Sequence, residues 1–214
     1  TGLEFAPGRS APEAEIARMA RAVGRHGGIY ASHIRNRSFA LADAMDDRYR
    51  AAVITAAYTG LRIGELTALR RSNVDLLRRR ITVTETLVEV KGELIFNPPK
   101  TARGFRSVPI AHVVARELEQ HLLSYGEGSP DSLVFAAPEG GPLRLSLWRR
   151  RFFLPAVERA GLQHLRIHEL RHTAVSLWIA AGASPVEVAK WAGHSRTQTV
   201  FDVYAPLMPC TEDQ

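Results

Sequence analysis

Cysteine is almost missing from this sequence: Cys210, close to the C-terminal end, is the one thiol in 214 residues. A single thiol excludes a disulfide framework and any metal site built from several cysteines. Lysine is nearly as scarce. Of 28 basic residues only Lys91, Lys100 and Lys190 are Lys, and the other 25 are Arg. Long apolar runs are missing too. The longest, Ala51 to Tyr58, falls far short of the roughly 20 residues that span a bilayer and reads as a buried helix segment. No stretch has the layout of a secretory signal. These absences lead to the expectation of a soluble, cytoplasmic protein with no membrane partner. The chain begins at Thr1 rather than Met, so a piece of a longer polypeptide is expected.

What is present is an ordinary apolar fraction of 45%, enough for one sizeable packed domain. The formal charge is +6. Guanidinium forks grip phosphate oxygens two at a time, so the Arg skew favours a phosphate-bearing partner such as nucleic acid. Genome-level base composition also inflates Arg and would produce the same skew.

Along the chain, residues 1–45 read as linker and N-terminal extension, with a short helix over Glu13–Val23 broken at Gly27-Gly28. The domain proper is expected over 46–214. Tyr49, Val53, Ala56, Ala57 and Leu61 recur at helical spacing behind Asp46 and Asp47, and Gly60 ends that helix. Arg62 to Leu69 reads as a short second helix. Alternation from Ile81 to Val90, a Lys91-Gly92 turn, a return over Leu94–Phe96 and a further strand over Phe105–Ile110 predict three strands, with Lys100 at the tip between the last two. Helices are predicted over Val113–Leu123, Ser146–Ala160, Ile167–Ala181, Pro185–Ala192 and Thr197–Tyr204. Ser184-Pro185-Val186-Glu187 supplies a capping box with Pro at the first helical position. The fold class is α+β: mostly helical, with a small three-stranded antiparallel sheet.

Chemistry concentrates near the end of the chain, in His168-Glu169-Leu170-Arg171-His172-Thr173, Gly193-His194 and Tyr204. Read as H-E-x-x-H, the first stretch offers His168 and His172 as zinc ligands, Glu169 as base, and Glu187 or His194 as a third ligand. Read as His-x-x-Arg at a helix start, it offers an anion site. Arg62 from another helix, oriented by Glu65 three residues on, adds a second fork. Two Arg groups on one phosphate stabilise a pentacoordinate transition state. Tyr204 is the candidate nucleophile. Only about 1 in 1000 phenols is ionised at neutral pH, so it needs a base, and His168 or His194 can serve. Lys100 is the candidate general acid for an alkoxide leaving group. The zinc reading leaves Arg62, Glu65, Lys100 and Tyr204 unexplained and sets Arg171 beside a dication.

Taken together, Thr59-Gly60-Leu61-Arg62-x-Gly64-Glu65-Leu66, Lys100, His168-x-x-Arg171-His172-Thr173, Gly193-His194 and Tyr204 resemble the catalytic domain of the tyrosine recombinases, or phage integrases. The histidines at 168 and 194 are 26 positions apart, and Tyr204 follows His194 by ten. The likeness runs from Asp46 to Leu207. It implies that Arg62, Arg171 and His194 hold a scissile DNA phosphate and that Lys100 protonates the leaving 5′ oxygen. It further implies that His168 assists Tyr204, that Tyr204 forms a 3′-phosphotyrosyl link, and that Glu65 supports. It implies double-stranded DNA as partner, no metal or other cofactor, and a monomer that becomes a tetramer on paired sites. Arg103, Arg106, Arg149, Arg150, Arg151 and Arg196 are the candidate DNA-binding residues. Glu169 departs from the family's usual Asp, which is what creates the apparent zinc motif. The tail after Tyr204 has ten residues, including Pro206 and Pro209. Relatives also carry an N-terminal helical domain that closes a clamp on DNA, and residues 1–45 are too short to be it. A type IB topoisomerase and a DNA-binding remnant that no longer cleaves remain the alternatives.

Overall fold

A computed structural model describes residues 37–162, 165–194, 197–198 and 200–201. The expected helix over Glu13–Val23, Arg196, Tyr204 and half of the last expected helix lie outside the described residues.

Helix α2 (Asp47–Thr59) is the axis of the core. The Asp46 side chain accepts from the Arg48 N–H at 3.1 Å, and Gly60 ends the helix at φ +59°. From Tyr49 to Thr59 nearly every residue is buried, so the helix is apolar all round and must be enclosed. Helix α7 (Ile167–Ala180) and helix α4 (His112–Tyr125) pack against it. Leu41, Ile54, Ile81, Val108, Leu118, Phe153 and Val175 are all fully enclosed in the same core. Tyr49 stands edge-on to both Trp148 and Phe152 and donates its hydroxyl to the Ala136 carbonyl at 3.2 Å.

Residues 37–44, expected as the end of a linker, instead form helix α1 (Arg37–Ala44), which packs on α2 through Phe39, Leu41 and Ala42. Two turns are too short for a hydrophobic period to stand out. The helix is held at its far end by Arg159, whose guanidinium donates to the Ala44 carbonyl.

The strands divide differently from expectation. A three-stranded antiparallel sheet has the order β1 (Val74–Asp75), β2 (Arg80–Val83), β5 (Arg106–Pro109), with Ile81 opposite Val108. A separate hairpin pairs β3 (Thr86–Val90) with β4 (Glu93–Asn97). The predicted run from Ile81 to Val90 is broken because Thr84 and Glu85 are held elsewhere. Asn73 donates to the Thr84 hydroxyl at 2.8 Å, and Arg70 pairs with Glu85. The Lys91-Gly92 turn is as expected, with φ +51° and +85°. The chain after β4 carries Lys100 and a single 3₁₀ turn (Ala102–Gly104) before β5.

The predicted helix over Ser146–Ala160 is interrupted. Helix α5 (Leu145–Trp148) and helix α6 (Leu154–Arg159) are joined by one π-turn (Arg149–Phe153). Pro155 has no N–H to give the carbonyl of Arg151 four residues back, and its ring crowds that carbonyl. The wide turn relieves both.

Helix α3 (Ile63–Thr67) follows Gly60 directly, and helix α8 (Pro185–Ala192) starts from the reciprocal Ser184–Glu187 capping box. A Cβ at Gly60 would meet Trp178 at 3.0 Å and Ala174 at 3.3 Å in a left-handed backbone. Gly60→Ala is therefore expected to lower the unfolding free energy by at least about 1–2 kcal/mol, the cost of the left-handed backbone alone. A urea melt with an unchanged midpoint would contradict this packing.

Candidate active site

The site begins with a carboxylate. Glu65 sits in the single turn of α3 with its side chain 5% exposed. It accepts from the Arg62 N–H at 2.8 Å and from Arg62 Nη1 at 2.9 Å. On its other side Arg106 closes a bidentate pair, Nη1 to Oε1 at 2.9 Å and Nη2 to Oε2 at 2.7 Å. Burial pushes the Glu65 carboxyl up, but the Arg106 hydrogen bonds and charge, together with Arg62, outweigh it and hold it below the ordinary range. Gly64 lets α3 lie against β3: a Cβ there would fall 2.5 Å from Thr86 Oγ1 and 2.7 Å from the Leu87 carbonyl.

Arg62 is thus fixed at its root while its side chain stays 46% exposed. Its Nη2 donates to the Gly193 carbonyl at 3.1 Å. Among the described residues these bonds occupy two of its five N–H donors and leave the rest for a ligand.

Arg171 is buried beneath. Its guanidinium donates to the Gly60 carbonyl and the Ala192 carbonyl, at the C-terminal ends of α2 and α8. Helix C-termini carry partial negative charge and hold a cation well. Those two carbonyls lie two residues before Arg62 and His194 respectively, so Arg171 sits behind both.

His194 follows Gly193, which closes α8 at φ +65°. Its Nδ1 is buried and has no hydrogen-bond partner among the described residues. Burial, then the charges of Arg171, Arg62, Arg106 and His172, push its pKa down to about 4. His168 stands exposed at the start of α7, its ring 5.1 Å from that of His172 and nearly perpendicular to it. Burial and then His172, Arg171, Arg62 and Arg166 lower its pKa. Glu169 is engaged by Arg166, whose Nε donates to it at 3.1 Å.

A cavity of about 520 Å³ gathers Arg62, Glu65, Lys100, Gly193 and His194 on one wall system. Four of the residues expected to act together thus line one space, Arg171 backs it, and Tyr204 lies outside the described residues. A second cavity of about 850 Å³ continues from Arg62 to Arg149 and Arg150 on the π-turn. Arg151 faces a different, smaller hollow beside Tyr49 and Trp148. Arg103 is exposed and lines a third cavity with Lys190 and His194.

Arg106 corrects the expectation that it contacts DNA: its side chain is 2% exposed and committed to Glu65. Its role inside the site is missed by sequence reasoning. The available signal is its position in β5, where Arg106 and Val108 alternate inward with Ser107 and Pro109 less buried. An Arg on the buried register of a strand needs a buried carboxylate.

The phage integrase family model matches residues 36–209. The chain is 34% identical over 155 residues to a Mycobacterium tuberculosis protein provisionally named prophage phiRv2 integrase, a match covering 71% of this chain and 41% of that one. It is 29% identical over 182 residues to the prophage integrase IntR of Escherichia coli, covering 74% of this chain and 43% of that one. The chain therefore spans about two fifths of the length of these curated relatives. Among solved structures, XerA recombinase superposes with a TM-score of 0.62 at 26% identity, over 81% of this chain and 58% of that chain. The fold is also that of a Tn1549 transposon integrase in complex with a circular intermediate DNA: TM-score 0.69, 20% identity, 85% of this chain and 62% of that chain.

The depressed His194 pKa has a signed consequence. Folded His194 binds fewer protons than the unfolded chain between about pH 4 and the ordinary value of 6.5, so its contribution to stability falls as pH drops through that window. Following the ring by NMR in the free protein should give a midpoint near 4, and adding vanadate or inorganic phosphate should raise it. A midpoint near 6.5 in the free protein would mean that the ring is not shielded and surrounded by cations as described.

Proposed function

The chain belongs to the phage integrase family, and from that premise we propose that it carries the catalytic domain of a site-specific DNA recombinase. The observation that carries the reading is the convergence of Arg62, Lys100 and His194 on one cavity backed by Arg171. Those groups come from four separate parts of the chain. Their shared chemistry is anion binding plus one exposed ammonium.

In this reading a DNA phosphodiester enters the cavity. Arg62 and Arg171 compensate its charge, and neutral His194 donates a ring N–H to a phosphate oxygen. The Tyr204 hydroxyl attacks phosphorus and gives up its proton, with His168 assisting. The bond to the 5′ oxygen breaks as Lys100 supplies a proton to it, leaving a 5′ hydroxyl and a 3′-phosphotyrosyl link. Attack by another 5′ hydroxyl reverses the steps on a new strand. The ester energy is retained in the link, so the cycle needs neither ATP nor metal. Glu65 supports by fixing Arg62. The proposed partner is double-stranded DNA, bound by one chain and assembled as four chains when two sites pair. Arg149 and Arg150 extend the basic wall from Arg62, with Arg103, Arg151 and Arg196 as further phosphate contacts. The expected compartment is the one holding the DNA, the cytoplasm. Among the described residues no helix is long and apolar enough to cross a membrane.

Trapping tests the chemistry. With a nicked duplex carrying the attachment sequence, the wild-type chain should form a covalent adduct mapping to Tyr204. Tyr204→Phe should form none while binding DNA within about twofold of wild type. An adduct surviving in Tyr204→Phe would overturn the assignment.

Salt dependence tests the basic wall. Arg149→Ala should weaken binding and reduce the slope of log affinity against log salt by about 1. An unchanged slope would return Arg149 to the solvated surface.

A further inference from the structure

We propose that Arg106 is a positioning residue that holds the segments bearing Arg62, Lys100 and His194 in mutual register without touching DNA. The inference rests on the strand-transfer reading of the site and deepens it. Arg106 uses its fork in three directions. Through Glu65 it holds the start of α3, from which Arg62 projects. Through Nη1 and the Gly104 carbonyl, at 3.2 Å, it holds the 3₁₀ turn just after Lys100. Through Nε and the Trp191 carbonyl, at 2.7 Å, it holds the end of α8, two residues before Gly193 and three before His194.

These contacts employ four of the five guanidinium donors, and the group lies in the interior. Gly193 is shaped to it. A Cβ there would come within 3.1–3.2 Å of Nη1, Cδ and Cζ of Arg106. The same Gly193 offers its carbonyl to Arg62. Arg62 and Arg106 therefore flank both Glu65 and Gly193, and the four groups close a ring around the cavity wall. A displacement of about 1 Å at a reacting centre costs on the order of 100-fold in rate, so a tie across three segments has a large lever. Lysine cannot replace it: one ammonium is a point donor and cannot face three acceptors set in a planar fork.

The test separates placement from folding and from DNA affinity. Arg106→Lys keeps the charge against Glu65 and loses the fork. On the nicked duplex under single-turnover conditions its cleavage rate should fall about 10- to 100-fold. Its DNA dissociation constant should stay within twofold of wild type, and its far-UV spectrum and thermal transition should show it folded at the assay temperature. A rate within twofold of wild type, or a loss accounted for by the unfolded fraction, would overturn the proposal.

A second measurement uses the wild-type chain and stands if the variant does not fold. The Arg106 Nε–H resonance should be protected from exchange and unmoved by DNA, while that of Arg62 shifts. A DNA-induced shift at Arg106 as large as that at Arg62 would make it a phosphate contact and sink the assignment. Failure of the wild-type chain to form any adduct would instead remove the strand-transfer reading, with the protection of Arg106 measured independently of it.

Discussion

One buried carboxylate sets the geometry of the charged face. The two oxygens of Glu65 accept from the Arg62 backbone, the Arg62 guanidinium and both Nη groups of Arg106. Removing a carboxylate and a guanidinium from water is costly, and apolar replacements of the same shape often give equal or greater stability. Stability is therefore a poor explanation for a pair this deeply enclosed. What the pair supplies is direction. A flexible Arg side chain at the mouth of a cavity samples many rotamers. Arg62 is instead held by its own N–H, by Nη1 and by Nη2, and among the described residues still leaves donors open.

The electrostatics follow from that enclosure. Burial and the charges of Arg171, Arg62 and Arg106 all act on His194. A further proton on His194 is disfavoured by burial and by those cations together, so the ring is neutral at ordinary pH. Among the described residues, Glu65 is the carboxylate that lines this cavity. Arg171 is met by the carbonyls of two helix C-termini. The cations of Arg62 and of the exposed Lys100 on the same cavity suit a ligand that brings its own anion.

The long, strongly patterned parts of this fold are legible in the sequence. The Asp46 start and Gly60 stop of α2, the capping box of α8 and the Lys91-Gly92 turn each rest on local chemistry that tertiary context does not override. The grouping of Arg62, Lys100 and His194 was also readable, because motif and spacing survive without knowledge of distance. What was not readable was set by long-range contacts. Thr84 and Glu85 leave the ladder because of Asn73 and Arg70. Arg106 looked like one more surface cation because its partner, Glu65, is 41 residues away. Arg149, Arg150 and Arg151 are adjacent in sequence and read alike as DNA-binding candidates. The π-turn sends two of them toward Arg62 and the third toward Tyr49.

The same charges bear on the two readings of the His168–Thr173 stretch. A zinc site needs two imidazoles on one helical face, and His168 and His172 meet that condition with rings 5.1 Å apart. It also needs a third donor and a tolerable potential. Among the described residues no three His, Cys, Asp or Glu side chains come together. Glu169 is turned to Arg166. Arg171 lies between the two histidines in sequence, and the His168 pKa is lowered first by burial and His172, then by the charges of Arg171 and Arg62. A dication placed there would be repelled by the neighbouring Arg171 and Arg62 guanidiniums. A phosphate diester meets the opposite sign. One helical turn thus carries the residues of two chemistries, and the guanidiniums of Arg171 and Arg62 beside it favour the anionic one.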